Sequence, residues 1–168
     1  MRIGIDARLW HETGVGRYIR CLIYELGKLK SPHTFIVFLR RKEYETIDLP
    51  PYNFEKILAD VSWHSVEEQF KMPLYYRKAH VELLHIPYFS VPIFTPKPFV
   101  VTIHDLTISH FATGKATTKP FPVYQIKRIG YKLTLSYAIN RACRVITVSE
   151  TIKKQILREY KIDPGNIF

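Results

Sequence analysis

The chain has 168 residues, a length that suits one domain with a sizeable hydrophobic core. It is 46% hydrophobic and 24% charged, which excludes a disordered chain, and no apolar run approaches the roughly 18 residues of a membrane-spanning helix. Its 25 Lys and Arg against 15 Asp and Glu leave a formal charge of +10, which calls for an anionic partner: nucleic acid, an acidic membrane surface or a phosphorylated ligand.

Met1 leads directly into a strand-like segment, leaving no signal peptide, and Cys21 and Cys143 lie far apart in no metal-ligand spacing. Two reduced, buried thiols in a cytoplasmic protein are expected. Arg2 to Asp6 reads as the first strand. From Val15 the apolar residues Val15, Ile19, Leu22, Ile23, Leu26 and Leu29 recur at helical spacing until Ser31-Pro32 stops them. Thr34 to Leu39 (TFIVFL) is a second strand, residues 42–52 are irregular around Pro50-Pro51, and Lys56 to Ala59 is a short third strand. Ser65 to Ala79 reads as a helix that Pro73 should kink or split. Glu82 to Ile86 is strand-like, and four prolines within 87–98 mark a loop. Phe99 to Ile103 (FVVTI) is apolar, rich in β-branched residues and uninterrupted, as a buried parallel strand should be. A long helix is expected from Pro120 or Pro122 to Arg141, a buried strand over Arg144 to Val148, and a helix capped by Ser149 and running to about Tyr160. Asp163 to Asn166 forms a turn, after which Ile167-Phe168 starts one more strand.

This alternation predicts an α/β fold with a Rossmann-like, doubly wound and mainly parallel sheet, which takes its ligand beyond the carboxyl ends of the strands. Three stretches fall there: the loop from Asp6 to Gly16, His104-Asp105 and Val148-Ser149. The first, GIDARLWHETGVGRY, is not a dinucleotide fingerprint. That motif needs its first glycine almost directly after the strand, whereas Gly14 comes eight residues beyond Asp6 and Ile19 holds the third glycine position. No acid ends the second strand to hold a ribose, where Arg40 and Arg41 stand, and no G-K-[ST] follows the glycines, which excludes a P-loop. What remains is a helix N-terminus whose glycines admit a ligand and whose free amides over Val15 to Tyr18 favour an anion. A plain helix start in a tight turn is the alternative. His104, taken alone, reads equally well as a buried histidine satisfied by backbone, and Asp105 as a strand-end turn.

Leu106 to Ser149 contains no Asp or Glu, yet carries Lys115, Lys119, Lys127, Arg128, Lys132, Arg141 and Arg144. Aromatic and apolar residues such as Tyr124, Ile129 and Leu133 intersperse these cations, which fits a basic interfacial helix or an ordinary solvated helix face. No nucleic-acid motif accompanies the charge, so nucleic acid is not an expected partner.

Four stretches, MRIGIDARLW…TGVGRYIRCLIYEL, LLHIPYFSVP, VVTIHDLTISHF and ACRVITVSETIKKQI, occur in this order and spacing. Together they resemble the N-terminal half of the family 4 glycosyltransferases, retaining enzymes of the two-domain GT-B fold, over nearly the whole chain. The resemblance implies that residues 1–168 are the acceptor-side Rossmann-like domain, with the donor-binding C-terminal domain absent, because the family's E-x7-E motif does not occur. It implies transfer of a mannose- or glucose-type hexose from a nucleotide sugar to a glycan or lipid-linked acceptor, with no metal or other cofactor, by a chain inactive alone. It implies that Gly14, Val15, Gly16 and Arg17 lie near the donor diphosphate. His104 would contact the transferred sugar with Asp105 beside it, and Asp6, Ser149 and Glu150 would line the cleft. Lys119, Lys127, Arg128 and Lys132 would meet an anionic membrane at its inner face. On this reading His104 and the Gly14–Gly16 loop share one cleft, within about 10 Å of each other. The alternative of another class is a nucleotide-binding α/β module that does not catalyse.

Overall fold

The computed structural model describes residues 1–106 and 121–168, with side chains described for 1–106 and 129–168. Six parallel strands form one sheet: β1 (Arg2–Asp6), β2 (Thr34–Leu39), β3 (Phe54–Leu58), β4 (Leu83–Ile86), β5 (Phe99–Ile103) and β6 (Arg144–Thr147), in the order β3-β2-β1-β4-β5-β6. The helices are α1 (Gly14–Lys28), α2 (Arg41–Thr46), α3 (Val66–Lys78), α4 (Phe121–Arg141) and α5 (Glu150–Glu159). Sequence order reverses between β1 and β4, which makes that junction the topological switch point.

Side-chain alternation along the strands divides the core in two. Ile36 and Phe38 of β2, with Leu84, Ile86, Val101 and Ile103, pack against Met72 and Tyr76 of α3, Leu135 and Ile139 of α4 and Ile156 of α5. Phe35, Val37 and Leu39, with Ile5, pack against Ile19 and Ile23 of α1. Both faces of β2 are therefore covered, and its residues from Phe35 to Leu39 are all buried, as the unbroken apolar run requires. Residues 87–98 join β4 to β5 without a helix, and Phe89 and Val91 of this loop are buried in the first core.

Several expectations change. The stretch 42–52 read as irregular begins within α2 (Arg41–Thr46), near whose end the carbonyls of Tyr44 and Ile47 accept from Lys56 Nζ of β3. That cap comes from another element, so the helix leaves little mark on its own sequence. β3 starts at Phe54, earlier than expected, and β6 ends at Thr147, leaving Val148 exposed. α3 is one helix rather than two: Pro73 is buried beside Met72 and Tyr76, and the packing of that face carries the helix past the missing N–H. Cys21 is exposed rather than buried, because it lies off the Ile19–Ile23 stripe of α1, and Cys143 is half-buried. Ile167 bridges Val145 in parallel, the start of pairing beyond β6.

Candidate functional site

All six strands point the same way, so the loops that follow β1, β4, β5 and β6 emerge on one edge of the sheet. The switch point lies between the first two of these strands, and β5 is next to β4.

From β1 the chain reaches α1 through residues 7–13. No side chain caps the N-terminus of α1, and no acidic residue occupies its first turn. The amides at its start are thus left for an anion, with the positive end of the helix dipole behind them. The two glycines serve different ends. A Cβ on Gly16 would lie 2.8 Å from the Leu9 carbonyl oxygen and closer still to that of Trp10, so only glycine lets the helix pack on its own approach loop. A Cβ on Gly14 would meet nothing within 4 Å, and Gly14 itself is exposed. Arg17 is also exposed.

His104, directly after β5, is half-buried. Its Nε2 lies 3.1 Å from the Pro87 carbonyl oxygen. A carbonyl only accepts, so Nε2 carries the proton and donates, and in the neutral ring Nδ1 is left with a lone pair. Burial lowers the pKa of His104, opposed by the Pro87 hydrogen bond and by Asp105. The Tyr18 ring of α1 stands edge-on to the imidazole, with centroids 5.2 Å apart and planes at 87°. Tyr18 Oη lies 3.1 Å from Thr102 Oγ1 in β5, and the same oxygen lies 2.8 Å from His85 Nε2 in β4. Helix α1 is thereby tied to β4 and β5 beside His104.

His85 is pushed down to about 4 by burial and, secondarily, by His104. It stays neutral in the folded chain at a pH where the unfolded chain already binds a proton. Its contribution to stability is therefore complete above pH ~6.5 and is lost as pH falls toward ~4, by up to roughly 3 kcal/mol. Urea titrations at pH 7, 5.5 and 4.5 are expected to show this decline, and His85→Gln to flatten it. An identical slope in the variant would assign the decline elsewhere.

Asp6 ends β1 and borders a recess of about 10 Å³ at the switch point, lined also by Arg8, Trp63, Glu68, Tyr88 and Ser90. Its carboxylate is committed inward. Arg8 Nη2 lies 2.7 Å from Asp6 Oδ2 and 2.6 Å from Glu68 Oε1, and Tyr76 donates to Asp6 Oδ2 at 2.7 Å. Arg8 Nη1 donates to the Val61 carbonyl at 3.1 Å. Glu68 Oε2 accepts from the His64 amide at 2.8 Å and from the Ser90 hydroxyl at 3.2 Å. Burial pushes the Asp6 pKa up, but the Arg8 guanidinium more than offsets it and holds the carboxyl below its ordinary value. Burial wins at Glu68, whose pKa is raised in spite of Arg8. Tyr88 is pushed up to about 12 by burial and by the nearby charges of Asp105 and Glu12, which places it between the β5 end and the β1 loop.

Asp105 is exposed. Ser149 and Glu150 follow β6, one strand beyond β5; the Ser149 hydroxyl accepts the Ile152 amide at 3.3 Å as the N-cap of α5, and Glu150 is exposed in its first turn. Lys132 is exposed on α4, while Lys119 and the side chains of Lys127 and Arg128 lie outside the described residues. Sequence reasoning missed Tyr18, His85 and Thr102, for which it carries no signal, and the Arg8–Glu68–Tyr76 network. The S-x-x-E spacing from Ser65 to Glu68 marks a helix start, and Ser65 does cap α3 by accepting the Glu68 amide.

A family model described as Glycosyltransferase Family 4 matches residues 13–168. No curated protein matches the chain. The structure is similar to that of the lipopolysaccharide outer core galactosyltransferase WaaB in its apo form, with a TM-score of 0.55 at 12% sequence identity; the match covers 100% of this chain and 44% of that one. The chain thus spans less than half the length of that solved relative.

Proposed function

The chain belongs to glycosyltransferase family 4, and from that premise we propose that it is the acceptor-side domain of a retaining GT-B enzyme. That enzyme moves a mannose- or glucose-type hexose from a nucleotide sugar to a hydroxyl of a glycan or lipid-linked acceptor. The observation that carries the reading is the ring contact between Tyr18 and His104, which joins the helix beginning at Gly14 to the end of β5.

On this reading the donor diphosphate lies against the uncapped amides of Gly14, Val15 and Gly16, with Arg17 beside it. As the anomeric C–O bond to the diphosphate breaks, negative charge gathers on the leaving oxygen and positive charge on the sugar ring. The α1 N-terminus stabilises the first, and a preorganised dipole there acts without reorganisation. The departing phosphate oxygen takes the acceptor proton as the new C–O bond forms on the same face, so His104 orients the sugar and need not act as base. Asp105, Ser149 and Glu150 extend the cleft wall, and Asp6 supports it from inside. The scheme needs no metal, and a second domain supplies the remaining donor contacts, so the 168-residue chain alone is inactive. Ile129, Lys132 and Leu133 are exposed together on α4, which supports contact with an anionic membrane through that helix.

Screening the full-length protein against each common sugar nucleotide tests the reading. Transfer from one donor with retained α configuration is expected, and unchanged by a chelator. Nucleotide binding with no transfer to any glycan or lipid-linked acceptor would favour a non-catalytic binding module instead. Cosedimentation with anionic vesicles at low salt tests the membrane contact, and no pelleting would remove it.

A further inference from the structure

We propose that Tyr18 is a positioning residue for His104: its ring walls the imidazole off from water, and the Thr102–His85 pair holds that ring in place. The proposal rests on reading His104 as a sugar-contacting group only for its consequence in catalysis, and its geometry stands apart from that reading.

Three observations carry it. Tyr18 lies in the second turn of the helix that begins at Gly14, and its ring meets the His104 ring edge-on at 5.2 Å and the His85 ring edge-on at 6.2 Å. Its hydroxyl reaches Thr102 Oγ1, an atom on a fully buried residue that also serves His85 Nε2. Thr102 has one proton to give and two lone pairs to accept with, so its hydroxyl bridges Tyr18 and His85 and restrains both side chains. The Tyr18 ring therefore has little freedom to swing away from His104. His104 is further fixed by its Nε2–H bond to the Pro87 carbonyl. With Nε2–H committed to Pro87, Nδ1 is the ring nitrogen whose lone pair can accept from a ligand. A shift of α1 on anion binding would reach His104 through the same ring.

Among the described residues, the groups facing His104 are Tyr18 on α1, His85 on β4, the Pro87 carbonyl after β4, and Asp105 on its own segment. Of these, Tyr18 supplies apolar cover without charge. Removing its ring should let water solvate the imidazolium and move the titration of His104 upward, toward its ordinary value.

The test is an NMR titration of the His104 ring in this chain, with urea melts confirming that each variant folds. Tyr18→Leu is expected to raise the midpoint by roughly half to one pH unit, and Tyr18→Phe, which keeps the ring, by less than about 0.3. A folded Tyr18→Leu chain with an unchanged midpoint would overturn the proposal. Should that variant fail to fold, Tyr18→Met decides: it removes the ring but keeps an unbranched apolar side chain, so a raised midpoint supports the proposal and an unchanged one overturns it. In the full-length enzyme Tyr18→Leu is expected to lower kcat about tenfold with little change in donor KM, and Tyr18→Phe to restore most of it. Absence of any transferase activity in the parent enzyme would refute the functional reading while leaving the titration result intact.

Discussion

Arg8→Met is expected to destabilise the fold by about 3–5 kcal/mol at pH 7, a large part of the roughly 5–15 kcal/mol that holds a domain of this size. Arg8 is 6% exposed, and its guanidinium is shared by two carboxylates, one two residues away and one 60 residues away along the chain. Asp6 takes both Nε and Nη2, Glu68 takes Nη2 again, and the Val61 carbonyl takes Nη1. Methionine fills the space of the arginine stem but carries no donors, so the variant leaves two buried carboxylates and a carbonyl without this partner. Removing one member of a buried ionic group costs more than the group contributes net, because the charges left behind remain desolvated. Arg8→Lys is expected to fall between the two, since an ammonium restores the charge but not the planar fork that spans three acceptors.

The pH dependence distinguishes this mechanism from simple loss of packing. In the parent chain Arg8 keeps the Asp6 carboxyl below its ordinary pKa, so that contribution is present above the ordinary range and is lost as pH falls through the folded value. Without Arg8, burial raises both carboxyls, and the folded form then binds protons more tightly than the unfolded one. The deficit of Arg8→Met should therefore shrink as pH drops from 7 toward 4. Urea unfolding across that range measures it. A deficit below about 1 kcal/mol at pH 7, or one independent of pH, would show that the network carries little of the stability.

The sheet was legible because each strand announces itself locally. TFIVFL and FVVTI are unbroken apolar runs bounded by turn residues, and strands that need cover on both faces must alternate with helices. The α1 N-terminus was legible for the same reason, through a strand end, a polar loop and two glycines. Features set by partners far along the chain were not. The Arg8–Glu68 pair spans a separation of 60 residues, and Tyr18–Thr102 one of 84. Nothing near Arg8 tells whether it faces water or another chain segment. An exposed and a fully committed arginine look alike in the sequence, and so do a free and a committed Asp6. His85 sits in LLHI, a strand whose apolar neighbours give no hint that its ring bonds a threonine on the next strand. The loop 87–98 was read correctly as irregular, yet only the fold shows its use: it replaces a crossover helix and brings the Pro87 carbonyl to His104.

His104→Ala in the full-length enzyme is expected to lower kcat by about 10²–10³, the usual cost of losing one preorganised polar contact in a transition state. The geometry makes a finer forecast. Nε2–H is spent on Pro87, so Nδ1 is the atom able to accept a hydroxyl of the transferred sugar. Asparagine places its amide oxygen near the Nδ1 position, whereas glutamine places its amide nitrogen near Nε2 and so keeps the anchor while losing the acceptor. His104→Asn should thus retain more kcat than His104→Gln, and the reverse order would show that the Pro87 anchor matters more than the contact to substrate. Protonation matters for a further reason. An imidazolium beside a sugar ring that is gaining positive charge would raise the barrier, so the neutral form is the working one. Burial lowers the His104 pKa from its ordinary value, with the Pro87 hydrogen bond and Asp105 pulling the other way. The rate should accordingly be independent of this group at and above pH ~6.5 and fall only as pH drops through the lowered value. Removing the Asp105 charge, which favours the imidazolium, should shift that acid limb to still lower pH. An acid limb that stays in place in Asp105→Asn would assign it to another group.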